Sequence, residues 1–367
     1  MAAVYLIGVR GMPNRYGGFE RLVEVLAPHL VAQGHEVTVF CEGGASPPPD
    51  DLWQGARRRF IRVTAGGARA TLAYDWRAFA EVPPGAVALI FGYGTAAYQW
   101  RLRQRGIPHA VNMDGLEWQR QKWGRIARTW LRLNERLAVA WADELIADHP
   151  VIQQDLQQRL GADSTMVAYG VDLADDTVAG AANNAPLPDG LQPEGYHLVI
   201  ARPEPENQIH LLLQAQAQAG VDTPLVVVGQ FEANAYGRAL RQQHPQARFI
   251  GPVYDSAALL ALRSRCLLYL HGHSVGGTNP SLIEAMAAGA PVVAHDNPFN
   301  RWVLGEQGGW FFRGADDLAA LLAAPPPAPA RAAAVRQARA ACHERFLWAD
   351  ILAAYDGVVD RLIARRR

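Results

Sequence analysis

Residues 271–296, HGHSVGGTNPSLIEAMAAGAPVVAHD, constrain the fold more than any other stretch, because they read without a break as strand end, glycine-rich loop, helix, tight stop and next strand. Asn279 followed by Pro280 supplies an N-cap and a proline at the first helical position, and the residue before a proline is steered out of the helical region. Gly289 is expected to end that helix in the left-handed conformation, and residues 291–294 restart a buried strand. A strand–helix–strand unit of this kind belongs to an α/β fold.

The loop also has a chemistry. Gly276, Gly277 and Thr278 lie just before the helix start, where bare backbone N–H groups and the positive end of the helix dipole favour an anion such as a diphosphate. Ser281 and Glu284 have capping-box spacing, so the bland reading makes Glu284 a cap of its own helix. With the cap at Asn279 the glutamate falls one turn too late for that. Side chains tilt towards the helix N-terminus, so Glu284 is expected to lean over the loop and accept hydrogen bonds from sugar hydroxyls.

The same alternation runs through the chain. Strands are expected near 4–8, 36–41, 59–64, 87–91, 108–113, 144–147 and 165–168, then near 197–201, 224–229, 248–250 and 266–270, with helices between them. Each half therefore reads as a doubly wound parallel sheet. At 367 residues the chain exceeds the size of one core, and the aperiodic, acidic and proline-bearing stretch 173–195 is the expected linker. Its Asp172, Asp175 and Asp176 resemble a metal site less than a solvated linker, since no histidine converges on them.

Several loops fall at strand carboxyl ends, where open parallel sheets bind ligands. RGMPNRYGG follows the first strand: Arg10 and Arg15 are expected to meet phosphate, and Gly17 and Gly18 to open the next helix towards it, against the alternative of a mobile surface loop. Its glycines do not make G-x-G-x-x-G, which disfavours a dinucleotide fold. Asp114, before Gly115, is either a turn former or an acid that orients or deprotonates an acceptor hydroxyl. Arg202 ends a strand of the second half and suits a diphosphate with its planar fork of donors; Glu204 and Glu206 follow, and Asn300 and Arg301 are expected to add a further cation. Residues 118–141 are expected to form one helix, with Trp123, Ile126, Trp130, Leu131 and Trp141 on an apolar face beside Arg125, Arg128, Arg132 and Arg136. That helix is either core with a solvated face or a contact with an anionic membrane surface.

Composition narrows the classes. The 35 basic and 35 acidic residues balance, which leaves no bulk charge for nucleic acid. Cys41, Cys266 and Cys342 have no paired spacing, so neither a disulfide framework nor a zinc site is expected. With no signal peptide and no bilayer-length apolar run, a cytoplasmic protein is expected.

The run PSLIEAMAAGAPVVA, taken with YGGFE (16–20), NMDGLEWQRQKW (112–123) and ARPEPEN (201–207), resembles family 4 retaining glycosyltransferases of the GT-B fold, and within them the bacterial subgroup that includes rhamnosyltransferases of polysaccharide assembly. The likeness runs from Val4 to about Phe312, and Tyr169-Gly170-Val171-Asp172 resembles the family's exit turn. Two positions depart from the pattern: Gly276 stands where the family has the first of two glutamates, and Asn207 stands where it has a lysine of the diphosphate clamp. The resemblance implies two Rossmann-like domains facing across a cleft, 1–172 on the acceptor side and 196–346 holding the nucleotide-sugar, with 347–367 a helix crossing back onto the first. It implies transfer of a sugar, L-rhamnose from dTDP-L-rhamnose, to a lipid-linked saccharide at the inner face of the cytoplasmic membrane, with no cofactor or metal. UDP- or GDP-linked donors and a GT-B epimerase stay as alternatives, as does a noncatalytic sugar-binding protein. On this reading Asp114, Arg202 and Glu206 are catalytic. Gly17, Gly18, Arg202, Gly276, Gly277, Thr278, Asn279 and Glu284 bind the donor, and Arg15, Tyr16, Glu117 and Trp118 bind the acceptor.

Overall fold

The computed structural model describes residues 1–14, 17–64, 66–120, 123–173, 185–188 and 190–366. Arg15, Tyr16, Asp175 and Asp176 lie outside them. The described residues form two compact units: those of Met1–Gln119, Trp123–Tyr169 and Ala349–Arg367, and those of Arg120–Lys122 and Gly170–Trp348.

The first unit carries β1 (Ala3–Ile7), β2 (Glu36–Glu42), β3 (Asp51–Trp53), β4 (Ala56–Ile61), β5 (Val87–Phe91), β6 (His109–Asn112), β7 (Glu144–Ala147) and β8 (Thr165–Met166) in the order β3-β4-β2-β1-β5-β6-β7-β8. Its pairings are parallel except for β3 against β4. Strands covered on both faces have no polar side to show, and β5, VALIF, is buried at every residue. The β3–β4 hairpin stands where a single strand near 59–64 was expected. Gln54 (φ 47°) and Gly55 (φ 83°) make its two-residue turn left-handed at both positions, which matches the twist of the flanking strands.

The helix Trp348–Ala364 completes this unit. Tyr355, Val358, Val359 and Leu362 are buried, His29 Nε2 meets Asp356 Oδ2 at 2.8 Å, and Arg361 grips Glu144 through Nε and Nη2 at 2.8 and 2.9 Å. The arginine–tryptophan helix is shorter than expected, spanning Arg125–Trp141 instead of starting at Trp118. Gly124, extended at φ −70° and ψ 170°, is its N-cap, and a short 3-10 turn, Glu117–Gln119, precedes it.

The second unit carries β9 (His197–Ile200), β10 (Leu225–Val228), β11 (Arg248–Gly251), β12 (Leu268–His271), β13 (Val292–His295) and β14 (Gly309–Phe312), all parallel, in the order β11-β10-β9-β12-β13-β14. Its core joins Val227 and Leu270 of the sheet to Leu212, Leu213, Leu318 and Leu322 of the covering helices.

Candidate active site

In the second unit the chain steps outward from β9 to β11, then returns to β12 and steps the other way. The crevice outside the carboxyl ends of β9 and β12 is thus the switch point at which open α/β sheets take ligands. Two loops meet there. Ser274 donates through N and Oγ to the Glu206 carbonyl, both at 2.9 Å. A Cβ on Gly272 would stand 2.5 Å from the Asn207 carbonyl, so only glycine lets the loops close up. Asn207 is buried, and its amide donates 2.9 Å to the Arg202 carbonyl. It closes its own turn and contributes no cation where the family pattern has lysine.

Arg202 is 52% exposed and stands 3.7 Å from Glu204, so its guanidinium is accessible. The Glu206 carboxylate is almost wholly buried, with Arg120 Nη1 4.0 Å from Oε1. Beneath Arg202, His271 and His273 stack with ring centroids 4.3 Å apart and planes 6° from parallel. Burial, then the charge of His295, lowers the His271 pKa to about 3; burial chiefly, then His271, Arg202 and Arg120, holds His273 well below its ordinary value. Burial thus favours the neutral form of each ring. His271 Nε2 and His273 Nδ1 are buried without a hydrogen-bond partner. The sequence reading gave neither a role, although two histidines bracketing a glycine at a strand end were a visible signal.

The helix Pro280–Ala287 begins as its sequence requires: Asn279 Oδ1 accepts from Ser281 N at 3.0 Å and from Ser281 Oγ at 2.9 Å. Thr278 is buried, and Gly276 has φ 154° with nothing within 4 Å of a built Cβ. Its backbone, not its packing, favours glycine, which accounts for the departure at that position. Glu284 caps nothing. Its Oε2 bonds Arg263 Nη2, the arginine side chain being 9% exposed and the glutamate 33%. Asn300 and Arg301 do not add a free cation. Arg301 is held by Asp296 at 2.5 Å and Glu306 at 2.7 Å, while buried Asn300 donates to the carbonyls of His273 at 2.9 Å and His295 at 2.8 Å, tying the loop after β12 to β13.

In the first unit the same argument selects the carboxyl ends of β1 and β5. The loop after β1 folds back on the helix Gly18–Ala32: Arg10 N donates to Glu20 Oε1 and Asn14 N to Glu24 Oε1, each at 3.0 Å. Gly17 and Gly18 open that helix, but the buried Glu20 places a carboxylate in its first turn. Asp114 follows β6 with φ 44°, a left-handed conformation that costs a non-glycine residue roughly 1–2 kcal/mol, and Gly115 continues it at 68°. Trp118 Nε1 donates 3.2 Å to the buried Glu135, which Arg159 binds through both nitrogens at 2.6 and 2.8 Å; Arg132 lies 4.4 Å over the Trp118 ring, and Trp123 Nε1 reaches Glu117 at 3.3 Å. His149, after β7, was missed as a cap: its Nδ1 accepts from Val151 N at 3.1 Å at the start of the helix Pro150–Leu160. A His-Pro pair after an apolar run was the available signal. Among the described residues no group of three or more His, Cys, Asp or Glu is placed to hold a metal, and no helix is long and apolar enough to cross a membrane.

Residues 16–175 match the family model Glycosyltransferase Family 4, and residues 191–324 match Glycosyl transferases group 1. The chain is 32% identical over 157 residues to a phosphatidyl-myo-inositol mannosyltransferase of Mycolicibacterium smegmatis, covering 41% of this chain and 38% of that protein. It is 34% identical over 155 residues to the one of Mycobacterium tuberculosis, covering 40% and 39%. These matches span about two fifths of the curated relatives' length. Sucrose-phosphate synthase from Thermosynechococcus elongatus superimposes with a TM-score of 0.80 at 21% identity, over 99% of this chain and 100% of that one. HepE of Anabaena, solved with UDP and glucose, does so at 0.73 and 17%, over 98% and 100%. In fold and in family, the chain carries the two parallel-sheet domains of GT-B glycosyltransferases, a family 4 domain followed by a group 1 domain.

Proposed function

We propose that the protein is a retaining, metal-independent glycosyltransferase that moves L-rhamnose from dTDP-L-rhamnose onto a lipid-linked saccharide. The observation that carries the transfer reading is the β9–β12 switch point, where accessible Arg202 and the loop leading into the Asn279-capped helix are laced together through Glu206 and Ser274. As the bond from the sugar to the diphosphate breaks, charge collects on the leaving phosphate. Arg202 and the N–H groups about Gly276 and Gly277 stabilise it, and loss of one such donor typically costs on the order of 10²–10³ in turnover. Glu284 binds donor hydroxyls, Glu206 positions the donor loop, and Asp114 orients or deprotonates the acceptor hydroxyl. The choice of rhamnose rests on the motifs of residues 16–20, 112–123 and 201–207. The mannosyl activity named for the mycobacterial relatives makes a GDP-linked donor the main competitor.

Contact with an anionic membrane is part of the proposal. The helix Arg125–Trp141 buries Leu131, Asn134, Glu135 and Ala138 yet leaves Ile126 89% and Leu133 49% exposed, the reverse of a helix sorted for water. Arg125, Arg132 and Arg136 are exposed beside them. In the same unit Trp76 and Trp100 are also exposed, with Arg101 3.4 Å over the Trp76 ring. Tryptophan with arginine suits the headgroup layer.

The test is turnover with dTDP-L-rhamnose, UDP-glucose and GDP-mannose, each with a panel of lipid-linked saccharides, preceded by thermal shifts with the same nucleotide-sugars and NAD. A ligand at a hundred times its dissociation constant adds roughly 2.7 kcal/mol. Product from dTDP-L-rhamnose alone is expected. Stabilisation by NAD alone overturns the transfer reading, and product from another donor overturns the sugar.

A further inference from the structure

We propose that Tyr355, on the C-terminal helix, is a positioning residue that sets the conformation of Asp114; the inference rests on the acceptor role given to Asp114 above. Asn112, at the end of β6, is buried and has two duties. Its Oδ1 accepts the Asp114 N–H at 3.2 Å, and its Nδ2 donates to the Tyr355 hydroxyl at 3.2 Å. A side-chain amide can be turned over, exchanging acceptor for donor. Turned over, Asn112 would present NH₂ to the Asp114 N–H, donor against donor, and the bond holding the left-handed residue would be lost. The Asp114 N–H, a donor only, sets which end of the amide faces it, and the phenol oxygen of Tyr355 accepts from Nδ2 at the other end, so the side chain is anchored at both ends and stays where Oδ1 can meet Asp114.

The rest of the neighbourhood fixes the tyrosine. Its side chain is fully buried, and the next residue, Asp356, is pinned by His29 at 2.8 Å. Met113 N donates 2.9 Å to the Ile146 carbonyl and Gly92 N 2.9 Å to the Asn112 carbonyl, so the backbone on which Asn112 sits is fixed from both sides. The side-chain torsion of Asn112 is then the remaining freedom, and the bond to Tyr355 restrains it.

Tyr355→Phe keeps the ring and removes the acceptor. Backbone hydrogen exchange at Asp114, read by mass spectrometry on a peptide covering residues 112–116, is expected to rise, with the helix Arg125–Trp141 as protected as before. Turnover with the donor and acceptor accepted by the wild type should fall about tenfold, which is about 1.4 kcal/mol, in kcat and not in the KM for donor. Tyr355→Phe should cost nothing further in an Asp114→Asn background. If Tyr355→Phe does not fold, Asn112→Ala removes both bonds, to Asp114 and to Tyr355, without touching the helix and should raise exchange at Asp114 at least as far; unchanged exchange there also overturns the proposal. Unchanged exchange at Asp114 overturns the proposal, as does full activity of Tyr355→Phe where Asp114→Asn is inactive. Raised exchange with an Asp114→Asn enzyme as active as the wild type overturns the acceptor role of Asp114 and leaves the positioning intact.

Discussion

Glu284→Gln separates the ion pair of one carboxylate from the donor binding proposed for it. Its Oε2 holds Arg263, which is 9% exposed, so the substitution leaves a nearly buried guanidinium facing a neutral amide. Breaking a fully buried pair costs roughly 3–5 kcal/mol. Glu284 is 33% exposed and glutamine still accepts one hydrogen bond, which brings the expected loss to about 2 kcal/mol. In a unit of this size that lowers the melting temperature by roughly 4–8 °C. If the carboxylate also bonds the donor, nucleotide binding should lose about 1.5–3 kcal/mol besides, roughly 10- to 150-fold in dissociation constant. Calorimetric titration with dTDP, UDP and GDP measures the second effect, and thermal denaturation without ligand the first. Arg263→Met is the control: it removes the ion pair and keeps the carboxylate, so it should lower the melting temperature while changing affinity far less. Unchanged nucleotide affinity in folded Glu284→Gln, with only the melting temperature lowered, would refute the binding role and leave Glu284 as the counter-charge of Arg263.

Reversing Arg125, Arg128 and Arg132 to glutamate should release the protein from anionic liposomes, since each arginine gains about 1 kcal/mol near such a surface, and wild-type binding should itself weaken with salt; sedimentation of the triple variant like the wild type would sink the membrane contact. Asp75 is buried with Oδ1 unpartnered, and burial raises its pKa from 3.8 to about 7 despite the 2.8 Å bond from Thr95. A carboxyl raised in the folded state contributes stability that is complete below about pH 4 and is lost as the pH rises to about 7, in total about 4 kcal/mol. Asp75→Asn should therefore stabilise the protein at pH 8 and not at pH 4, and a difference independent of pH in denaturation curves would contradict this. Prolonged EDTA treatment should leave transfer intact if, as proposed, Arg202 and the helix start serve the diphosphate; loss restored by magnesium or manganese would argue for a metal-dependent reaction.

Much of the fold was legible because parallel strands covered on both faces must be apolar throughout, and VALIF and LVVV have no other reading. The loop and helix after β12 were legible for a local reason too, Asn-Pro before a helix and Gly after it. What was missed depends on partners distant in sequence or on backbone detail. No pattern near Glu284 announces Arg263, 21 positions away, and none near Asn112 announces Tyr355, 243 positions on. The β3–β4 hairpin was hidden because Gln54 carries one of its two left-handed turn positions, where glycine or asparagine is the usual sign. Periodicity extended the arginine–tryptophan helix back to Trp118, but Gly124 has its own conformational preference and starts it later.

The chain leaves the first unit after Tyr169 and re-enters it at Ala349, so one compact unit is largely nested inside the sequence of the other. On a ribosome this dictates an order of completion. Everything the second unit needs has emerged once Trp348 is clear, while β1 to β8 wait with the seat of Tyr355, Val358 and Leu362 unfilled. The sheet of the first unit, made first, is thus finished last.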